Sequence, residues 1–100
     1  MELSKNIIDL IEYPKEGILS KSIYKNNKSD VTLFCMAKDA KMSEHTSTRQ
    51  GFVYVLEGEG VFNLHGNKIN MKEGTFIVMN KNAKHSLIAN KNLSFMLTLI

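Results

Sequence analysis

Residues 42–60, MSEHTSTRQGFVYVLEGEG, decide how the rest of the chain is read. A single histidine, His45, stands ahead of a short polar loop, and an apolar run follows. Side chains alternate across a strand, so Phe52, Tyr54 and Leu56 share one face, and Val53 and Val55 share the other. Both faces are apolar, which predicts a strand covered on both sides. Glu57-Gly58-Glu59-Gly60 breaks the run, and Val61, Phe62 and Leu64 begin another. The stretch is expected to form a strand, a tight reversal and a strand.

The same grammar extends in both directions. Residues 18–24 alternate Ile18, Ser20, Ser22 and Tyr24 against Leu19, Lys21 and Ile23, a strand with one polar face. The Asn- and Lys-rich residues 25–30 make its turn. Residues 31–37 are β-branched and aromatic, apolar on both faces, and read as a central strand. Residues 38–41 read as a turn. Downstream, residues 61–64 and 68–71 form a hairpin about His65-Gly66-Asn67. Further strands are expected at 76–79, 85–89 and 93–100, separated by polar turns. Residues 4–13 fit either a short helical turn or an irregular strand, ended by Pro14 and Gly17. No segment keeps a helical period for three turns. Eight or nine short strands, spaced by about 8–12 residues, predict an all-β sandwich or barrel.

Composition narrows the function. A chain of 100 residues builds one domain, here residues 1–100, with residues 1–17 as an arm and 30–100 as the barrel core. The net charge of +3 is spread over the chain without a Lys/Arg run, which argues against nucleic acid as a partner. Cys35 is the only cysteine, so no internal disulfide forms. It lies in an apolar run and is expected to be a buried thiol. No apolar stretch has the length of a signal peptide or a membrane span, so a cytoplasmic location and no membrane association are expected.

Three histidines are candidates for chemistry. His45 precedes the longest strand, and His85 opens a later one after a polar loop. In an antiparallel barrel two such strand ends can meet, and two imidazoles facing one cavity make half of a metal site. His65 sits in a hairpin turn and is expected to face solvent. Glu57 and Glu59 flank a turn glycine and read as surface charge. Ser43 and Ser47 lie close to His45 in sequence, but serine is common in loops and an acyl-transfer triad has no sequence support beyond that. Met36, Met42, Met71, Met79 and Met96 fall in or beside strands and read mainly as core filling. Met79 is set apart because it lies just before the loop leading to His85.

Here the chain resembles the cupins, small β-barrels with two signatures. The first runs His-x-His, then Glu, then Gly. The second runs Gly, then Pro-x-Gly, then His, then Asn. Gly58 fits the glycine of the first, within YVLEGEG, and His45 falls on its first histidine. Ser47 stands at the second histidine, and Gly51, beside Gln50, stands at the glutamate. In the second signature Gly74 and His85 fit, while Asn80, Asn82 and Ala89 replace Pro, Gly and Asn. The resemblance spans residues 30–100. It implies a double-sheet jelly-roll barrel with a narrow cavity and a homodimer that covers the apolar second face of the last strand.

The family's metal enzymes use three His and one Glu to hold Fe, Mn, Ni, Zn or Cu. This chain keeps two of those ligands, His45 and His85. Gln50, Glu44, Met79 and Cys35 are the candidates for a third donor, and Gln50, Tyr54, Met79 and Cys35 are expected to line the pocket. The expected function is binding of a small molecule in the cavity, with or without a weakly held divalent metal (Zn, Fe, Mn, Ni or Cu). The alternative is a metal-dependent dioxygenase or isomerase.

Overall fold

The computed structural model describes residues 3–100. Residues 1 and 2 of the expected arm lie outside the described residues. After one 3-10 turn, Ile8–Leu10, come nine strands. They are β1 (Ile18–Lys25), β2 (Asp30–Met36), β3 (Lys41–His45), β4 (Gly51–Glu57), β5 (Gly60–Leu64), β6 (Asn67–Met71), β7 (Phe76–Met79), β8 (His85–Ala89) and β9 (Leu93–Leu99). One antiparallel sheet has the order β1-β2-β9-β4-β7, the other β3-β8-β5-β6. Apart from the hairpins β1–β2 and β5–β6, strands adjacent in the chain fall in different sheets, the jelly-roll arrangement expected from the sequence. The ambiguous segment 4–13 resolves to the 3-10 turn with extended flanks.

The alternation read from the sequence sets the core. Phe34 and Met36 of β2, Val53 and Val55 of β4, Ile77 and Met79 of β7, and Phe95 of β9 turn inward from the first sheet. Phe62, Met71, Leu87 and Ala89 meet them from the second. Phe34 and Phe95, partners in register, stack with centroids 5.2 Å apart. Burying a Phe or Leu side chain of this kind contributes about 1.5–3 kcal/mol.

The outer face of the first sheet has two unlike halves. Over β2 and β9 it is closed by the N-terminal arm. Leu33 and Cys35 point outward, opposite to Phe34, yet both are fully buried. Tyr13 reaches across and donates to Glu57 Oε1 (2.6 Å), with its oxygen 3.1 Å from Ser94 Oγ. Lys21 Nζ donates to the carbonyl of Leu10 and pairs with Glu12. Over β4 and β7 the face is open. Tyr54, Phe76 and Val78 are about half exposed, and Phe52 stacks on Phe76 at 5.8 Å. The expectation that β4 is covered on both sides is therefore corrected within this chain: Val53 and Val55 are buried, whereas Tyr54 is 47% exposed.

The second correction concerns β3. From the sequence alone the residues around His45 border a polar loop. They form a strand paired with β8, in register Met42↔Leu87 and His45↔His85. Only Met42 is apolar among Lys41-Met42-Ser43-Glu44-His45, so no run of strand-forming residues marks it. Pairing with β8 supplies what local propensity lacks.

Candidate functional site

His45 ends β3 and His85 begins β8, so the antiparallel pairing puts them opposite each other. Met42 and His45 are three positions apart along the chain, and simple alternation would send them to opposite faces. The register shift between them shows one extra residue in β3, a β-bulge. The bulge turns both Met42 and His45 toward the barrel interior. The two rings stand edge to face, centroids 4.1 Å apart and planes at 63°. His85 is buried and lies parallel to Phe62 at 5.8 Å. His45 is exposed, at the mouth.

Backbone carbonyls orient both rings. His45 Nδ1 lies 2.7 Å from Ser43 O, and His85 Nδ1 lies 3.0 Å from Ala83 O. A carbonyl only accepts, so each Nδ1 carries the proton in the neutral ring and each Nε2 keeps its lone pair. Burial holds His85 below the ordinary histidine value. The carbonyl of Ala83 opposes this shift and the neighbouring His45 adds to it. His85 is therefore neutral near pH 7 and can accept a hydrogen bond or donate to a metal.

Behind the pair lies a cavity of about 200 Å³, lined by Phe34, Met42, Val53, Phe62, Met79, Leu87, Phe95 and Leu97 together with the two histidines. Apart from the imidazoles the wall is aliphatic, aromatic and thioether. A wider groove of about 610 Å³ crosses the outer face of the second sheet, past Lys41, Asn63 and Lys68. It is open to solvent and gathers no histidine, so the inner cavity is the candidate site.

Of the side chains expected in the pocket, the structure brings together His45, His85 and Met79. It does not bring Cys35, Tyr54 or Gln50. Cys35 alternates with Phe34 on β2 and faces away from the barrel, sealed under the arm. Tyr54 alternates with Val53 and points to the outer face. Gln50 ends the loop before β4, where its carbonyl accepts the Ile100 N–H at 3.0 Å, and it is not part of the cavity wall. Glu44 is exposed on β3. Ser47, at the second histidine position of the signature, ties two loops: its carbonyl accepts the Asn82 N–H and its Oγ accepts the Arg49 N–H. Exposed His65 caps the β5–β6 turn with φ +50°. Met42, Phe34 and Phe62 were not anticipated as wall residues. The signal for Phe34 and Phe62 was the inward half of each strand's alternation; Met42 carried none, because the bulge breaks it.

Residues 32–100 match the family model for the cupin domain. The chain belongs to the cupin family. Solved structures agree with the fold. A conserved protein of unknown function from Streptococcus pyogenes superposes with TM-score 0.90 at 20% identity, covering 100% of this chain and 90% of that one. A cupin superfamily protein from Desulfitobacterium hafniense gives 0.91 at 18%, covering 100% and 92%. A predicted oxalate decarboxylase from Thermotoga maritima gives 0.78 at 20%, covering 83% and 79%. These identities speak for the fold alone. No curated protein matches the chain.

Cupins often bind metals. Among the described residues no group of three or more His, Cys, Asp or Glu is placed to hold one. Stable catalytic zinc sites use three protein ligands. Two imidazoles without a carboxylate therefore fit a hard divalent ion poorly.

Proposed function

We propose that this protein is a binding barrel that takes a small, largely apolar organic molecule into the cavity behind His45 and His85. The supporting observation is the composition of the wall: two oriented imidazoles at one end and only apolar or thioether side chains elsewhere. The cavity is smaller than the roughly 300–1,000 Å³ typical of drug-sized ligands, so the occupant is a small metabolite. The free Nε2 atoms would accept a hydrogen bond from its hydroxyl or amine, and a divalent metal would be held weakly. The protein would work in the cytoplasm as a homodimer closed over the Tyr54–Phe76 face, without nucleic acid or membrane as partner.

The second reading, a metal-dependent dioxygenase or isomerase, is favoured by the retained histidine pair with both Nε2 lone pairs free. It needs donors beyond the two imidazoles. A metabolite panel read by thermal melting separates the two, since a ligand of the folded state raises Tm. Stabilisation of metal-free protein, lost in both His45→Ala and His85→Ala, supports the binding barrel. Stabilisation only after a divalent metal is added would refute it in favour of the enzyme.

A further inference from the structure

The position that carries a glutamate in the family's metal signature is Gly51 here, and the structure shows what fills its place. Gly51 lies on the inward face of β4, in register with Met79 of β7. A Cβ built at Gly51 would come 2.7 Å from Met79 Cε, inside van der Waals contact. A side chain at residue 51 would have to displace the thioether arm of Met79, which occupies the space where one would begin. Met79 is buried and shares the cavity wall with His45, His85 and Met42. Met42 was turned inward by the same β3 bulge that brings in His45. A hard carboxylate is absent, and two soft thioethers stand in the same cavity as two imidazoles with free Nε2 atoms.

Donor softness decides which ion such a set selects. Thioether sulfur is a poor ligand for hard divalent cations and a good one for copper(I), and imidazole suits copper as well. Four neutral donors also match a singly charged ion better than a doubly charged one, because a buried charge is costly to leave uncompensated. We propose that His45, His85, Met42 and Met79 form a copper(I) site, selective against zinc(II) and other divalent ions. The proposal rests on the reading that the histidine pair is the polar head of the cavity; copper(I) would take the Nε2 positions in place of the organic molecule's hydroxyl or amine.

The test uses untagged full-length protein, copper(I) held reduced under anaerobic ascorbate, and a chromophoric copper(I) chelator as competitor. The wild type is expected to bind one copper(I) per chain and to keep it against excess zinc(II). Met42→Leu/Met79→Leu conserves volume and is expected to stay folded, as a melting curve checks. Its copper(I) affinity is expected to fall by about 10-fold or more, the scale seen when a metal site loses supporting groups. X-ray absorption on the wild-type complex is expected to show sulfur and nitrogen neighbours, with the sulfur lost in the double variant. Unchanged copper(I) affinity in Met42→Leu/Met79→Leu, displacement by zinc(II), or a spectrum with nitrogen and oxygen neighbours alone would overturn the soft-donor site. If copper(I) is lost in His45→Ala/His85→Ala but kept in the methionine variant, the soft set fails while the histidine head stands. Copper(I) binding unaltered in the histidine variant would sink both.

Discussion

Gly58 runs against the backbone of Asn92 with no room for a side chain between them. A Cβ at Gly58 would collide with the Asn92 carbonyl oxygen and come 2.7 Å from Leu93 Cα, and Gly58 itself sits at φ +98°. The β4–β5 turn therefore packs on the β8–β9 turn only because residue 58 lacks a Cβ. Gly58→Ala adds a clash with rigid backbone to a strained dihedral, and is expected to destabilise the fold by about 3 kcal/mol or more. Urea unfolding followed by circular dichroism measures this. Gly66→Ala is the contrast: φ is +80° but no atom lies within 4 Å, so only the dihedral strain of about 1 kcal/mol is expected there.

His85 gives the metal-free protein an acid-side instability. Its folded-state value is held below the ordinary 6.5 by burial. Above about pH 6.5 the ring is neutral in both folded and unfolded chains and contributes no pH dependence. As pH falls below that, the unfolded chain takes up a proton that the folded ring refuses, so stability declines. The slope from one such group is at most about 1.4 kcal/mol per pH unit. Chelator-treated His85→Gln is expected to lose less stability than wild type between pH 7 and pH 5, in equilibrium unfolding at each pH. Parallel curves for the two proteins would count against the burial argument.

Tyr13 acts at the opposite end of the scale. Burial pushes its hydroxyl from 10.0 to about 12, the bond to Glu57 adds to the shift, and Ser94 partly opposes it. The unfolded chain loses this proton near pH 10 and the folded chain does not, so the stabilisation is complete below pH 10. It fades as pH rises toward about 12. Tyr13→Phe is expected to flatten the alkaline fall in stability and, at neutral pH, to loosen the arm over Cys35. Faster thiol labelling of Cys35 in Tyr13→Phe reports the second effect.

The open face over β4 and β7 predicts self-association. Tyr54, Phe76 and Val78 are exposed beside Phe52, and contiguous apolar surface of this kind marks an interface. Phe76→Asp with Val78→Lys places charge at its centre and is expected to convert a dimer to monomer, with little effect on the inward core. Sedimentation velocity on both proteins decides this. A wild type that is monomeric at high concentration would remove the homodimer from the proposed function.

The strands in residues 18–24, 31–37 and 51–64 were legible, because alternation and turn residues are local properties. So was the pairing of His45 with His85, through the spacing of the two signatures. The positions of Cys35 and Tyr54 were not. Each lies on a strand with apolar residues on both faces, and periodicity says which side chains share a face but not which face meets the barrel interior. The arm decides it for Cys35 by sealing the outer side of β2, and the inward packing of Val53 and Val55 decides it for Tyr54.

By itself the sequence determined the all-β class, the turn glycines and the depleted ligand set, because these depend on residue type and local backbone preference. Only the tertiary structure decided that β3 is a strand, that its bulge turns Met42 and His45 the same way, and that Met79 fills the space above Gly51. Those facts depend on pairing between strands distant in the chain. A single extra residue in one strand reverses the direction of the side chains beyond it, and nothing in the local sequence marks where that residue falls.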